Sequence, residues 1–253
     1  MSQGTLGRAA PAPQRIAAQA RFETLTMLRN GEQLLVALVL PAMVLAGLVA
    51  TSFVPLGAGR RVDVVVPGVL ALCVISSGFT GVAIATGFDR RYGVLRLLGA
   101  SPLGRLGLLA GKAAAVLSVV AVQFTVIGGL GLALGWEPRW SGIPAAIVST
   151  LLGTWAFVAL ALLLGGTVRA EGVLALANLV WVLLLTLGGV VVPTTRLPEG
   201  LARLVEVLPS AALGDSLRAA LLHGQVPLGD WLVLVLWAAA ATVLASRFFR
   251  WSD

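Results

Sequence analysis

Residues 143–168 read IPAAIVSTLLGTWAFVALALLLGGTV, 26 residues without one charged side chain. About 20 apolar residues in a helix cross a hydrocarbon core about 30 Å thick, so this stretch is long enough to span a bilayer. Its Ser, Thr and Trp groups do not alternate with apolar residues as barrel strands require. A helix satisfies its own backbone hydrogen bonds, which lipid cannot do for it. Comparable runs lie outward from this one at about 34–54, 65–87, 112–134, 173–193 and 230–249. The expectation is an all-α integral membrane protein with six transmembrane helices.

Composition agrees with that expectation. Hydrophobic residues make up 58% of the chain, charged residues 11%, and mean hydropathy is +0.97. A water-facing domain carries about 25% charged residues. The net charge of +7 is read as arginine flanking membrane helices, which the positive-inside rule orients, and not as a nucleic-acid surface. With the N-terminus inside, the inner segments hold 12 Arg and Lys residues and the outer segments 6. Both termini are therefore expected in the cytoplasm. Cys73 is the one cysteine, so neither an intrachain disulfide nor a cysteine metal site is available.

Residues 1–13 are small, polar and proline-containing, and are expected to be disordered. Residues 14–253 form one transmembrane domain. It opens with a helix over 14–30 whose Arg15, Gln19, Glu23, Thr26 and Asn30 share a face, as expected of a helix lying along the membrane surface.

Two connections carry more than a plain loop needs. Between the second and third crossings, residues 88–98 read as a short amphipathic helix stopped by Gly99. Ser101 and Pro102 then restart a helix as cap and first-turn residue. The segment is either a basic loop touching headgroups or a rigid helix that docks into a partner. Between the fifth and sixth crossings, Leu201, Leu204, Val205 and Leu208 stripe one short helix, and Leu213, Leu217 and Leu221 a second. Both are too short to span. They are expected to lie on the outer surface, or to dip in as a re-entrant pair that covers an outward exit.

The centres of the crossings hold almost no ionisable group, which argues against a proton-driven pump or an ion channel. Ser76, Ser77, Thr80, Gln123, Thr125 and Asn178 are the main polar groups there. They are read as interhelical hydrogen-bond partners, with Ser76, Thr80, Gln123 and Asn178 the candidates to face a substrate path. No phosphate-binding GxxxxGK[ST] loop, HExxH motif or paired acidic motif occurs, so no catalytic residue and no metal ligand is expected.

The chain resembles the ABC-2 type permeases, the membrane subunits of bacterial ABC exporters that include the daunorubicin-resistance type. In the connection after the second crossing, Asp89-Arg90 stand for that family's opening acid-base pair. Gly93, Leu95, Leu97, Ser101 and Pro102 fall in register with its pattern, while Arg91 and Arg96 replace two acidic positions, with Tyr92 between them. A second pattern, Pro193, then Leu197-Pro198, then Pro209 between two short helices, marks the outer gate. The resemblance implies a cytoplasmic coupling helix at 88–98 and two short outer re-entrant helices. It also implies a separate ATP-binding cassette subunit in two copies, and a second permease subunit in a homo- or heterodimer. The setting is the bacterial cytoplasmic (inner) membrane. ATP and Mg would be bound by the partner, leaving this chain without a cofactor or ATPase site of its own. Apolar crossings poor in aromatic residues point to a hydrophobic, amphipathic or lipid-like substrate, drug-like compounds included. A stand-alone polytopic protein, either a secondary transporter or a lipid-processing factor, is the alternative.

Overall fold

A computed structural model describes residues 10–51, 60–190, 193–194 and 198–251; the side chains of residues 32–34, 36, 187 and 199 are outside that description. The described residues form eleven α-helices and no strand. Helix α1 is Ala12–Arg29 and α2 is Gly31–Ala50. Helices α3, Arg61–Ile75, and α4, Val82–Arg91, are joined by a π-helical turn, Ser76–Gly81. The short α5 is Val94–Gly99, followed by α6, Gly104–Ala133, and α7, Ile143–Thr167. Helix α8 is Ala170–Leu187, α9 is Glu199–Glu206, α10 is Pro209–His223 and α11 is Leu228–Phe248.

Among the described residues, four helical stretches are long and apolar enough to cross a membrane: Arg61–Arg91, Gly104–Ala133, Trp140–Thr167 and Leu228–Phe248. Two shorter apolar helices accompany them, Ala37–Ala50 and Ala170–Thr186. The α3–α4 rod is the core element, packed by α2, α6, α7, α8 and α10. Its residues from Val65 to Ile75 are almost all sealed, with Ala71, Cys73 and Val74 fully buried. Helix α11 rests mainly on α7 and α10 and turns Leu232, Leu236 and Val243 outward. An apolar helix exposed in this way has lipid as its natural solvent.

Several boundaries differ from the sequence reading. The 88–98 segment is not one helix, because Gly93 takes φ 76° and a left-handed residue ends a helix. Helix α4 therefore stops at Arg91, and α5 starts at Val94 in a new direction. Ser101 does not cap α6. Its hydroxyl donates to Leu98 O at 2.6 Å at the end of α5 and accepts from Leu103 N at 3.4 Å in the turn, and α6 begins only at Gly104. Beyond Leu208, α10 opens with Pro209 in its first turn and buries the expected Leu213, Leu217 and Leu221 stripe. In α9, Val205 is buried while Leu204 is 69% exposed. The expected disordered leader lies largely outside the described residues, as does Leu197.

Candidate functional site

Three constellations lie along the bundle: an elbow where α4 turns into α5, a polar-floored cavity beside the π-turn, and a latch where α10 holds the end of α8.

At the elbow, one run of charged residues faces several helices. Asp89 and Arg90 point into the bundle. Lys112 Nζ on α6 lies 3.5 Å from Asp89 Oδ2 and 2.8 Å from Glu23 Oε1 on α1. Arg90 is buried and donates to Val168 O at the turn between α7 and α8. Arg91 pairs with Glu171 of α8 at 2.5 Å, both side chains largely exposed. Leu95 is fully buried and anchors α5, while Tyr92 and Leu97 are 72% and 75% exposed. Tyr92 stacks on Phe88 with ring centroids 6.1 Å apart. Val94, Arg96 and Pro102 are also exposed, and Ser101 is half-buried. Trp251 packs against Gly99 from the far side, so closely that a Cβ there would lie 2.9 Å from its ring. The elbow is thus a braced projection whose outer face is apolar and basic.

The cavity has a volume of about 630 Å³ and lies between α2, α8 and the π-turn. Ser76, Ser77 and Thr80 form its polar floor, with Asn30, Asn178 and Trp181 around it. Replacing one turn of α-helix by a π-turn shifts the following side chains around the axis, a distortion frequent at functional sites. Trp181 Nε1 donates to Ser76 Oγ at 2.8 Å, fixing the indole as a wall. The Thr80 hydroxyl has no partner among the described residues. No charged side chain is among the described residues that line the space. Of the expected path residues, Ser76, Thr80 and Asn178 are brought together. Gln123 sits behind the wall, fully buried. It accepts from Ser77 Oγ at 3.0 Å and donates to Ala37 O at 2.9 Å, bracing α2 against the π-turn.

At the latch, the buried Arg218 of α10 donates to Gly189 O and Val190 O just beyond α8. It pairs with Asp215 at 2.8 Å. Thr194 donates to the other Asp215 oxygen at 2.5 Å. Gly68 of α3 gives way to this assembly: a Cβ there would lie 2.5 Å from Val190 O. Pro193 is half-buried beside Thr194. Pro198 is the exposed N-cap of α9, and Pro209 is buried at the start of α10. At this same end Arg60 joins Asp63 at 3.0 Å and Glu137 at 2.5 Å. The Arg60 hydrogen bond holds the exposed Glu137 carboxyl below its ordinary range, and the carboxylates raise the guanidinium.

The sequence reading missed Lys112, Trp181, Asp215 and Arg218. Each is joined to a partner on another element, with Ser76 105 positions from Trp181. The one available signal was that Lys112 is the only lysine among 18 basic residues.

Comparison with known protein families matches residues 36–247 to the family described as ABC-2 family transporter protein. No curated protein matches the chain.

Proposed function

The chain belongs to the ABC-2 transporter family, and on that premise we propose that it is the permease subunit of an ATP-driven exporter of neutral amphipathic or lipid-like molecules, drug-like compounds included. The family consists of multi-pass membrane components of ABC transporters, and its permeases normally work with an ATP-binding subunit. Six crossings would be α2, the α3–α4 rod, α6, α7, α8 and α11. Helix α8 has 18 residues, which rise about 27 Å at about 1.5 Å each, close to the hydrocarbon thickness. The twofold excess of basic residues in the inner segments supports an orientation with both termini and the elbow on the cytoplasmic side, in a bacterial inner membrane.

The observation that carries the reading is the elbow. Leu97 and Tyr92 stand out of a braced bend between two long helices, flanked by Arg91 and Arg96. Exposed apolar residues rimmed by charge suit a protein partner. The partner is a separate ATP-binding cassette subunit, present in two copies and holding ATP and Mg. This chain contributes contact and no hydrolytic chemistry. The cavity supports the substrate class: apolar walls with hydroxyl, amide and indole groups suit a neutral amphiphile. Helix α8 supplies Asn178 and Trp181 to the cavity and leaves Leu176, Leu179 and Val182 exposed. A second permease subunit, identical or not, would cover this exposed face of α8. ATP-driven closure of the partner pair favours one arrangement of the bundle and hydrolysis restores the other, a population shift. The latch and the helices after it form the outer gate.

The test is a photoreactive residue in place of Leu97, illuminated in native membranes. Cross-linking to an ATP-binding protein supports the reading. Cross-linking only to lipid overturns it and leaves a stand-alone membrane protein.

A further inference from the structure

Lys112 has no part in the docking face, the cavity or the latch, yet it is the most deeply enclosed cation of the elbow region. It lies in α6, with its side chain 2% exposed. An ionisable group so placed in a membrane helix is costly and is kept only with partners. Its partners come from two other helices, Glu23 on α1 at 2.8 Å and Asp89 on α4 at 3.5 Å. Gln19 donates to Glu23 Oε1 at 2.9 Å and orients that carboxylate. Gly111 admits α1: a Cβ there would stand 2.7 Å from Gln19 Cγ. The polar face of α1 is therefore turned toward α6, while Phe22 and Leu25 point outward.

We infer that Lys112 is a positioning residue that locks the root of the elbow to α1 and α6, so that motion imposed on α5 reaches both helices. The transmission half of this inference rests on the exporter reading; the positioning half does not. The two residues after Asp89 grip other bodies, Arg90 the turn at Val168 and Arg91 the carboxylate of Glu171. The end of α4 is thus held on one side by α7 and α8 and on the other by Lys112. Arg15 of α1 touches the far end of the elbow at Pro102 O, but from an exposed position. Without the ammonium, Glu23 and Asp89 face one another as like charges, and α1 is pushed from α4. An apolar contact of equal area could slide along its ridges. An ion pair with a fixed partner sets the register.

The test uses the full chain in lipid nanodiscs, with Cys73→Ala and spin labels at Thr26→Cys on α1 and Ala100→Cys beyond α5. The wild-type background is expected to give a single narrow distance. Lys112→Met is expected to lose that single peak, and Lys112→Arg to recover most of it. Since Lys112→Met alone strands two carboxylates, a triple variant, Glu23→Leu, Lys112→Met and Asp89→Leu, removes all the charges together. It is expected to fold with wild-type thermal stability and still give a broad distance. A narrow peak in Lys112→Met or in the triple variant overturns the inference, whatever partner the chain recruits. A wild-type chain that keeps the lock but recruits no ATP-binding subunit overturns the exporter reading and the transmission half, and leaves the positioning half standing.

Discussion

Replacing Arg218 by methionine deletes the centre of the latch while keeping most of its volume. The guanidinium is buried and holds Gly189 O, Val190 O and Asp215. The substitution leaves two carbonyls and a carboxylate to find new partners. An uncompensated buried carbonyl costs about 1–3 kcal/mol, and breaking a buried ion pair costs about 3–5 kcal/mol. These describe the same loss in two ways and are not summed. Asp215 keeps its bond from Thr194 and is 23% exposed, which favours the lower part of the range. A chain of this size loses about 2–4 °C in Tm per kcal/mol, so a cost of about 3 kcal/mol gives an expected drop of roughly 6–12 °C. The assay is thermal unfolding in detergent at one fixed scan rate, since membrane proteins unfold irreversibly and Tm then depends on rate. A cysteine at Thr194, 5% exposed in the latched chain, should meanwhile gain reactivity toward a water-soluble maleimide in intact cells. A drop below about 2 °C, smaller than one kcal/mol predicts, with Thr194→Cys still protected, would refute the latch.

Gly142→Ala places a methyl group against the backbone carbonyl of Ala220, whereas Gly129→Ala meets nothing within 4 Å. The first should lower thermal stability by about 1–3 kcal/mol through overpacking, and the second should leave it equal or raise it by up to about 1 kcal/mol. Gln123→Leu frees the Ser77 hydroxyl and Ala37 O, at a cost of about 0.6–2 kcal/mol in the same unfolding assay. Arg96→Glu should abolish co-purification of the ATP-binding subunit with the chain still membrane-inserted, while Arg91→Glu should in addition repel Glu171 and loosen α8 against α4, read by limited proteolysis. The Glu137 carboxyl is depressed in the folded chain, so its contribution is present above the ordinary carboxylate pKa and lost as pH falls through the lower folded value. Thermal stability of the wild type should fall slightly over that acid window, and Glu137→Gln should lack that part of the dependence.

The apolar helices were legible because bilayer thickness fixes their length, and 143–168 needs no tertiary information to be read as a helix. The α10 stripe of Leu213, Leu217 and Leu221 was legible for the same kind of reason, a period of one helical turn. The π-turn at Ser76–Gly81 was not, since a run such as SSGFTG, small residues around one Phe, fits an α-helix as well. At the elbow, Gly93 was seen as a family position and not as a helix stop. Its left-handed conformation depends on where α5 must go to bury Leu95. The polar face of α1 was visible, but its direction was not: Gln19 and Glu23 turn inward to meet Gly111 and Lys112 on α6. Arg218 entered the orientation count as one outer charge among six, and its burial follows from α10 dipping beside Gly68. Four path residues were named from polarity alone. Ser76, Thr80 and Asn178 share the cavity, while Gln123 braces its wall, a division that only helix rotation decides.

The exporter account is tested most directly by purifying the tagged chain from native membranes in mild detergent and identifying what co-elutes by mass spectrometry. The account predicts a near-stoichiometric ATP-binding subunit that is lost when Leu97 is replaced by aspartate. Recovery of the chain alone, under conditions that preserve a known ABC complex, would contradict it.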